Sequence, residues 1–380
     1  MTRVMVLSFS PIARDPRVDR QVSALLDAGH AVTVIGEGPA APSGASFIAV
    51  TPLWGESKVR KGLRAGLMLF GLRRLAYWSY RGVREAHSVM RTGDADLYLA
   101  NDIEALPAAL RAAGAKPVVV DLHEHVPSDW EYSWTRRLTT GRFRLWLCRR
   151  YLRRATAAST VGDGIADAYA AEFPIGRPSV IRNVPFREEL HATEVADDRL
   201  SLVYHGVAGP GRGLEILVES SSLWRPGVTL HLMLVEGLAG FLADLTDRVR
   251  GSANVVVIPP VKTRDIAKRI NEFDVGIFIS TARGEQGRFS MPNKVFEYIQ
   301  ARLCVLVGNS PEIGGLVEEF GCGRQLPPAV SPHELAYFIN GLSPHEVREM
   351  KRAAGAAADT ECWEVERERF LKLISDALAG

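Results

Sequence analysis

Residues 273–315 read FDVGIFISTARGEQGRFSMPNKVFEYIQARLCVLVGNSPEIGG. Asp274–Ser280 (DVGIFIS) is a short apolar run of the kind that forms a parallel strand buried on both faces. The loop from Thr281 to Met291 is polar and glycine-rich, and Ser290 and Pro292 suit a helix start. The pattern predicts a helix over Asn293–Ala301 with Lys294 and Glu297 one turn apart, then a second buried strand at Cys304–Gly308. A loop that feeds a helix N-terminus bearing one cation and one carboxylate suits a phosphorylated nucleoside. Backbone N–H groups and the helix dipole meet phosphate, Lys294 adds charge, and Glu297 can accept hydrogen bonds from two ribose hydroxyls. The same pattern also fits a purely structural strand–helix–strand unit with a surface Lys–Glu pair.

Outward from this stretch the chain alternates strands and helices in both directions, which calls for an α/β architecture of parallel sheets with helices on both faces. Strands are expected at Arg3–Phe9, Ala31–Ile35, Leu97–Ala100, Val118–Leu122, Ala157–Val161 and Ser179–Arg182 in a first half. In a second half they are expected at Leu202–His205, Thr229–Val235, Val255–Ile258, Val275–Ser280 and Cys304–Val307. The first helix spans about Pro16–Ala28 and is closed by Gly29. Asn183–Leu200 is polar, contains a proline, has no apolar period and reads as a linker.

Ligands of such sheets bind outside the strand C-termini, where the candidate residues cluster. GVAGPGRG (Gly206–Gly213) is a glycine-rich turn before a helix; Gly206, Gly211 and Gly213 let the backbone approach a phosphate, and Arg212 can pair with it bidentately. In DLHEH, His123 can donate a hydrogen bond to a sugar, with Glu124 and His125 behind it, or serve as a half-buried structural histidine. Asp102, in NDIEAL, reads either as a ligand or as an N-cap. Arg14, Asp15 and Arg17 fit helix capping and an ion pair within their own domain.

A chain of 380 residues most often makes two domains. No run approaches the ~20 apolar residues of a membrane span. The N-terminus reads as a first strand and not as a signal peptide. Cys148, Cys304, Cys322 and Cys362 show neither CxxC nor metal-ligand spacing and are expected to be reduced and mostly buried. The net charge of +2 hides an asymmetry: residues 1–191 hold 26 basic and 19 acidic side chains, the remainder 20 and 25. Much of the excess lies between Lys58 and Arg91, where aromatic and aliphatic residues are interleaved, and Arg136–Arg154 repeats the pattern. Such helices fit an anionic membrane surface, or a core-facing helix with a solvated arginine face. No recognition motif for nucleic acid accompanies the charge.

The run MPNKVFEYIQARLCVLVGNSPEI resembles the donor-binding signature of family-four glycosyltransferases of the GT-B fold, in the branch that reads PNKxFEY. Four further stretches resemble the same family in the same order: DPRVDRQVSALLDAGHAVTVI, VVVDLHE, YHGVAGPGRGLEIL and CWEVERERFLKLISDAL. The resemblance implies that Glu297 holds the donor ribose, that Arg212, Lys294 and His123 serve catalysis, and that Asn293 and the Gly206–Gly213 turn bind the nucleotide. Three departures stand out. The acid of the family's paired-glutamate motif is Phe289 here, leaving Glu285 as a substitute. The family's upstream arginine is Gly206, leaving Lys294 or Arg288 to supply the second diphosphate cation. The usual Gly-Gly of the first loop is replaced by SFSPIARDPR.

The resemblance implies two Rossmann-like doubly wound domains with a cleft between them. The expected bounds are 1–185 for an acceptor-side domain, 186–360 for a nucleotide-sugar domain, and 361–380 for a terminal helix that returns to the first domain. The implied activity is that of a retaining hexosyltransferase, from a nucleotide diphosphate sugar (UDP first) to a hydroxyl of a glycan or glycolipid. A small secondary metabolite is the alternative acceptor, with Trp130 and Trp134 as its stacking platform beside Asp102 and Glu124. A sugar-nucleotide 2-epimerase and a non-catalytic nucleotide-sugar-binding homologue are the other readings. No cofactor and no metal are expected, since no Asp-x-Asp stands where one would be needed and positive side chains take its place. The expected location is cytoplasmic, with peripheral contact at the inner face of the membrane.

Overall fold

The computed structural model describes residues 1–39, 44–53, 57–128, 140–279, 287–308, 310–327 and 329–380. Glu285, Trp130 and Trp134 lie outside the described residues. The chain divides into two compact units, Met1–Arg182 with Arg367–Gly380, and Asn183–Glu366.

The first unit runs β1 (Arg3–Pro11), α1 (Pro16–Asp27), β2 (Ala31–Glu37), β3 (Ser46–Ala49), α2 (Lys58–Leu69), α3 (Arg73–Ser79), α4 (Arg81–Thr92), β4 (Leu97–Asn101), α5 (Leu106–Ala113), β5 (Val118–Leu122), α6 (Arg142–Tyr151), β6 (Ala157–Thr160), α7 (Asp163–Glu172) and β7 (Ser179–Val180). Its strands pair in the order β3-β2-β1-β4-β5-β6-β7, parallel at every junction. The strand order reverses between β1 and β4, which makes their C-terminal ends the natural crevice. β4 and β5 are buried along their whole lengths, as unbroken apolar runs require. Asp15 caps α1 by accepting from the N–H groups of Arg17 and Val18, and Pro16 follows it at the first helical position.

The second unit runs β8 (Leu200–Ala208), α8 (Leu214–Ser221), β9 (Val228–Glu236), α9 (Phe241–Val249), β10 (Val255–Ile258), α10 (Ile266–Ile270), β11 (Val275–Phe278), α11 (Asn293–Gln300), β12 (Cys304–Val307), α12 (Pro311–Glu319), β13 (Gly323–Gln325), α13 (Pro332–Asn340) and α14 (Pro344–Thr360). The final helix, α15 (Trp363–Ala379), starts in this unit and ends in the first, where Arg367 pairs with Asp27 at 3.6 Å. The sheet order is β10-β9-β8-β11-β12-β13, again all parallel, with the reversal between β8 and β11. Neighbouring strand residues face opposite ways, so the unit has two cores. Leu202 and Tyr204 join one of them, Val203 with Phe296 and Tyr298 the other.

Three features differ from the sequence reading. β3 and β13 are extra edge strands. The first is mostly exposed and the second is the three-residue GRQ, so neither carries an apolar run to read. The segment read as a linker is irregular over residues 183–199 but packed, with Val184 and Val195 buried. Arg302 donates to the Glu188 carbonyl at 2.7 Å and Lys351 to Thr193 Oγ1 at 2.8 Å, which satisfies polar groups that a free tether would leave to water. All four cysteines are free and buried.

Candidate functional site

In the first unit the strand register sets four polar residues side by side, Ser8, Asn101, Asp121 and Ser159 on β1, β4, β5 and β6. Each ends an apolar run, so the polarity is confined to the C-terminal edge of the sheet. Asp121, fully buried, accepts from Arg17 Nε at 2.5 Å and Nη2 at 2.6 Å, from Gln21 Nε2 at 2.6 Å and from Ser159 Oγ at 2.7 Å. Burial alone would raise its pKa; Arg17 and His123 outweigh that and hold it well below the usual carboxylate range.

His123 sits just past β5. Its Nε2 is 3.3 Å from Asp121 and its Nδ1 is 3.6 Å from Asp102, whose other oxygen accepts from the His123 N–H at 3.3 Å. Burial disfavours the imidazolium, but Asp102 and Asp121 prevail and push it up to about 9. At neutral pH His123 is therefore a cation and offers only N–H donors. Asp102 has a left-handed backbone (φ 65°) and the cap of α5 is Ala105, so the aspartate orients His123 and is not an N-cap. Asn101 is 1% exposed and neither its Oδ1 nor its Nδ2 has a partner among the described residues. Ser10 donates to Asp15 at 2.6 Å, and Arg17 pairs with Asp121, so these two residues take the capping and ion-pair roles.

The two neighbours of His123 do structural work. Glu124 is exposed, and its carbonyl accepts from Tyr169. His125 is buried, 2.9 Å from Ser128 Oγ and 3.1 Å from Glu172, and burial lowers it to about 4.

In the second unit the corresponding edge is built from β8, β11 and α11. Gly206, within β8, has φ 125°, and a Cβ there would lie 3.1 Å from Lys294 Nζ. Lys294 Nζ thus lies close against Gly206. Gly213 (φ 71°) caps α8, and a Cβ there would come within 2.7 Å of Ile279. Gly211 also has positive φ, and the turn carries Arg212 exposed on its rim.

Lys294 donates to Tyr204 Oη at 3.0 Å, with Nζ 4.1 Å from the Tyr204 ring and 5.1 Å from that of Phe278. Burial and the nearby Arg212 charge lower it to about 7, against a smaller pull from Glu297. Glu297, one turn on, lies 3.2 Å from His205 Nε2. Burial and Lys294 lower His205 to about 3, so it is a neutral ring packed against Tyr298. The N-cap of α11 is Pro292, which offers no side chain to its first N–H groups, and Asn293 at its head is exposed. Arg288 is exposed beside the Phe289 ring, 5.8 Å from its centroid. An open helix N-terminus, a glycine turn and a half-buried amine together suit an anion.

The structure thus brings Lys294, Glu297, Asn293 and the Gly206–Gly213 turn together in one unit, and His123 with Asp102 in the other. Asp121, Tyr204 and His205 were not singled out from the sequence. The available signal was a polar residue closing an otherwise apolar strand, VVVD and LVYH. No group of three or more His, Cys, Asp or Glu suited to a metal occurs among the described residues.

Solved structures with this architecture include HepE from Anabaena in complex with UDP and glucose (TM-score 0.69, 17% identity, all of both chains). Sucrose-phosphate synthase from Thermosynechococcus elongatus matches with a TM-score of 0.76 at 14% identity, again over all of both chains. The lipopolysaccharide outer core galactosyltransferase WaaB matches at 0.67 and 10%, over 98% of this chain and 99% of its own. Residues 17–184 match the model of Glycosyltransferase Family 4. The chain has the GT-B fold. No curated protein sequence matches the chain. At these identities the structural likeness carries the fold, and the residues of this GT-B chain must carry the rest.

Proposed function

We propose that this GT-B protein transfers a hexosyl group from a UDP-sugar to an acceptor hydroxyl on a glycan or glycolipid, with retention at the anomeric carbon. The observation that carries the reading is the edge of the second unit. Lys294, Arg212 and the open N-terminus of α11 supply positive potential for a diphosphate, and Glu297, one turn along, suits a ribose. HepE, which shares the fold, is bound to UDP and glucose.

In the reaction the bond from the anomeric carbon to the diphosphate oxygen breaks and a bond to the acceptor oxygen forms on the same face. The acceptor proton passes to the departing phosphate. The side chains stabilise charge developing on that phosphate and need no metal to do so. His123, held as a cation by Asp121 and Asp102, places positive charge at the edge of the first unit, and the open carboxamide of Asn101 suits a sugar hydroxyl. A glycolipid acceptor fits WaaB, a galactosyltransferase of lipopolysaccharide. It also fits a cytoplasmic enzyme in peripheral contact with an anionic membrane; no helix among the described residues is long and apolar enough to cross one.

The test is calorimetry with UDP, followed by mass spectrometry of products from UDP-hexoses and an acceptor library in EDTA. A UDP-hexose consumed in EDTA with an α-linked product from an α-linked donor supports the reading. A strict Mg²⁺ or Mn²⁺ requirement contradicts the side-chain mechanism. UDP binding without turnover would leave a nucleotide-sugar-binding homologue, and isomerised donor without acceptor would indicate a 2-epimerase.

A further inference from the structure

Helix α2 of the first unit is turned inside out. Val59, Leu63 and Phe70 recur at helical spacing along one stripe, and that stripe faces solvent: Val59 is 81% exposed and Phe70 84%. The residue it buries is Arg64, 5% exposed, which donates to Ser79 Oγ at 3.0 Å and stacks over the Tyr80 ring at 3.4 Å. An ordinary core helix does the reverse.

The stripe continues through the turn into α3. Leu69, Leu72 and Leu75 are exposed as well. The turn is closed by hydrogen bonds: Gly71 is left-handed (φ 76°), its N–H bonds to the Met68 carbonyl at 3.2 Å, and the Leu72 N–H bonds to the Leu67 carbonyl at 2.8 Å. Phe70 and Leu72 are thus held outward at its tip.

The charge around this face has one sign. From Ser57 to Arg84 the chain has eight Lys or Arg residues and no Asp or Glu. Arg60, Lys61 and Arg74 are exposed beside the apolar stripe. A second copy of the chain would bring this cationic rim against itself. Nucleic acid would meet the cations but leave the aliphatic stripe unused, since base stacking needs aromatic platforms. An anionic bilayer satisfies both, taking the apolar stripe into the headgroup boundary and the cations against its phosphates.

We propose that α2, the Gly71 turn and α3 form a monotopic membrane-docking surface for an anionic lipid bilayer. The proposal deepens the peripheral contact included in the functional reading above, and it names the element that makes it.

The test is flotation of the full chain with vesicles of phosphatidylcholine alone or mixed equally with phosphatidylglycerol, at low and high salt. UDP calorimetry runs alongside as a control. The wild type is expected to float with the mixed vesicles at low salt and not with the neutral ones. Leu63→Gln with Phe70→Ser should abolish flotation, and Arg73→Gln with Arg74→Gln should weaken partitioning about tenfold or more and flatten its salt dependence. Phe70→Trp, which keeps the helix intact, should show a blue-shifted emission on mixed vesicles only. Absence of flotation and of that shift, or equal binding to neutral vesicles, overturns the proposal. So does a wild-type dimer in sedimentation that the Leu63→Gln, Phe70→Ser variant dissolves, because the face then belongs to a second copy. Flotation with no heat from UDP would instead count against the transferase reading alone.

Discussion

The two units present the same place in the same topology, the C-terminal edge of a parallel sheet at its strand-order reversal, with opposite electrostatics. In the first unit the buried carboxylate of Asp121 is met by Arg17 and Gln21, and the histidine beside it is held charged, at about 9. In the second, the half-buried Lys294 has a phenol and aromatic rings for neighbours and falls to about 7, while the histidine, His205, falls to about 3. One edge is neutralised by its own side chains, and the other keeps a deficit of negative charge for a ligand to supply. Fold alone does not distinguish them; the residue closing each strand does.

The largest effect should come from breaking the neutralised edge. Asp121→Ala leaves Arg17 buried without its partner and should cost about 3–5 kcal/mol of stability. The double variant Arg17→Met, Asp121→Leu should recover much of that loss, and denaturant titration reads both. A cost below 1 kcal/mol for Asp121→Ala would mean that the pair is not the keystone of the first unit.

The same operation on the second unit should behave in the opposite way. Lys294→Met removes a poorly compensated, half-buried amine, so stability without nucleotide should hold or rise, while turnover drops by roughly 10²-fold or more. Loss of stability together with activity would erase the contrast between the two edges. Glu297→Ala should weaken UDP binding by about 1.5–3 kcal/mol without unfolding the chain, as the loss of charge-assisted hydrogen bonds predicts.

A smaller effect separates the edges by pH. His123 has a folded pKa raised to about 9, so its stabilisation is complete below the ordinary histidine range and disappears as pH rises through 9. His205 has a folded pKa lowered to about 3, so its contribution is complete above the ordinary range and disappears as pH falls toward 3. Stability curves of His123→Asn and His205→Asn, each subtracted from wild type, should therefore slope on the alkaline and acid sides respectively. Two curves sloping on one side would contradict the assignment of charge.

Much of this was legible in the residues. The strands DVGIFIS and CVLV, the helix NKVFEY and the glycine turn follow from apolar runs and punctuation, and the structure has them within a residue or two. Lys294 and Glu297 were readable because one helical turn joins them. The network around Asp121 was not, because Arg17 reaches it across 104 residues and no local spacing encodes that contact. Nor could the sequence tell which way α2 faces, since an amphipathic stripe has the same period whether it points to the core or to water. Gly206 reads as a missing cation in the sequence, and only the structure brings Lys294 Nζ close to it.

The central claim is that the second unit's edge is an anion site completed by Lys294. Calorimetry of UDP from pH 6 to 9, in buffers of low and high ionisation enthalpy, tests it most directly. Phosphate beside the amine must raise its pKa, so the wild type should take up a proton on binding near and above pH 7, and its affinity should fall as pH rises past 7. Lys294→Met should bind more weakly, with no buffer-dependent heat from this group. Tight UDP binding with the same proton uptake in both proteins would contradict the account.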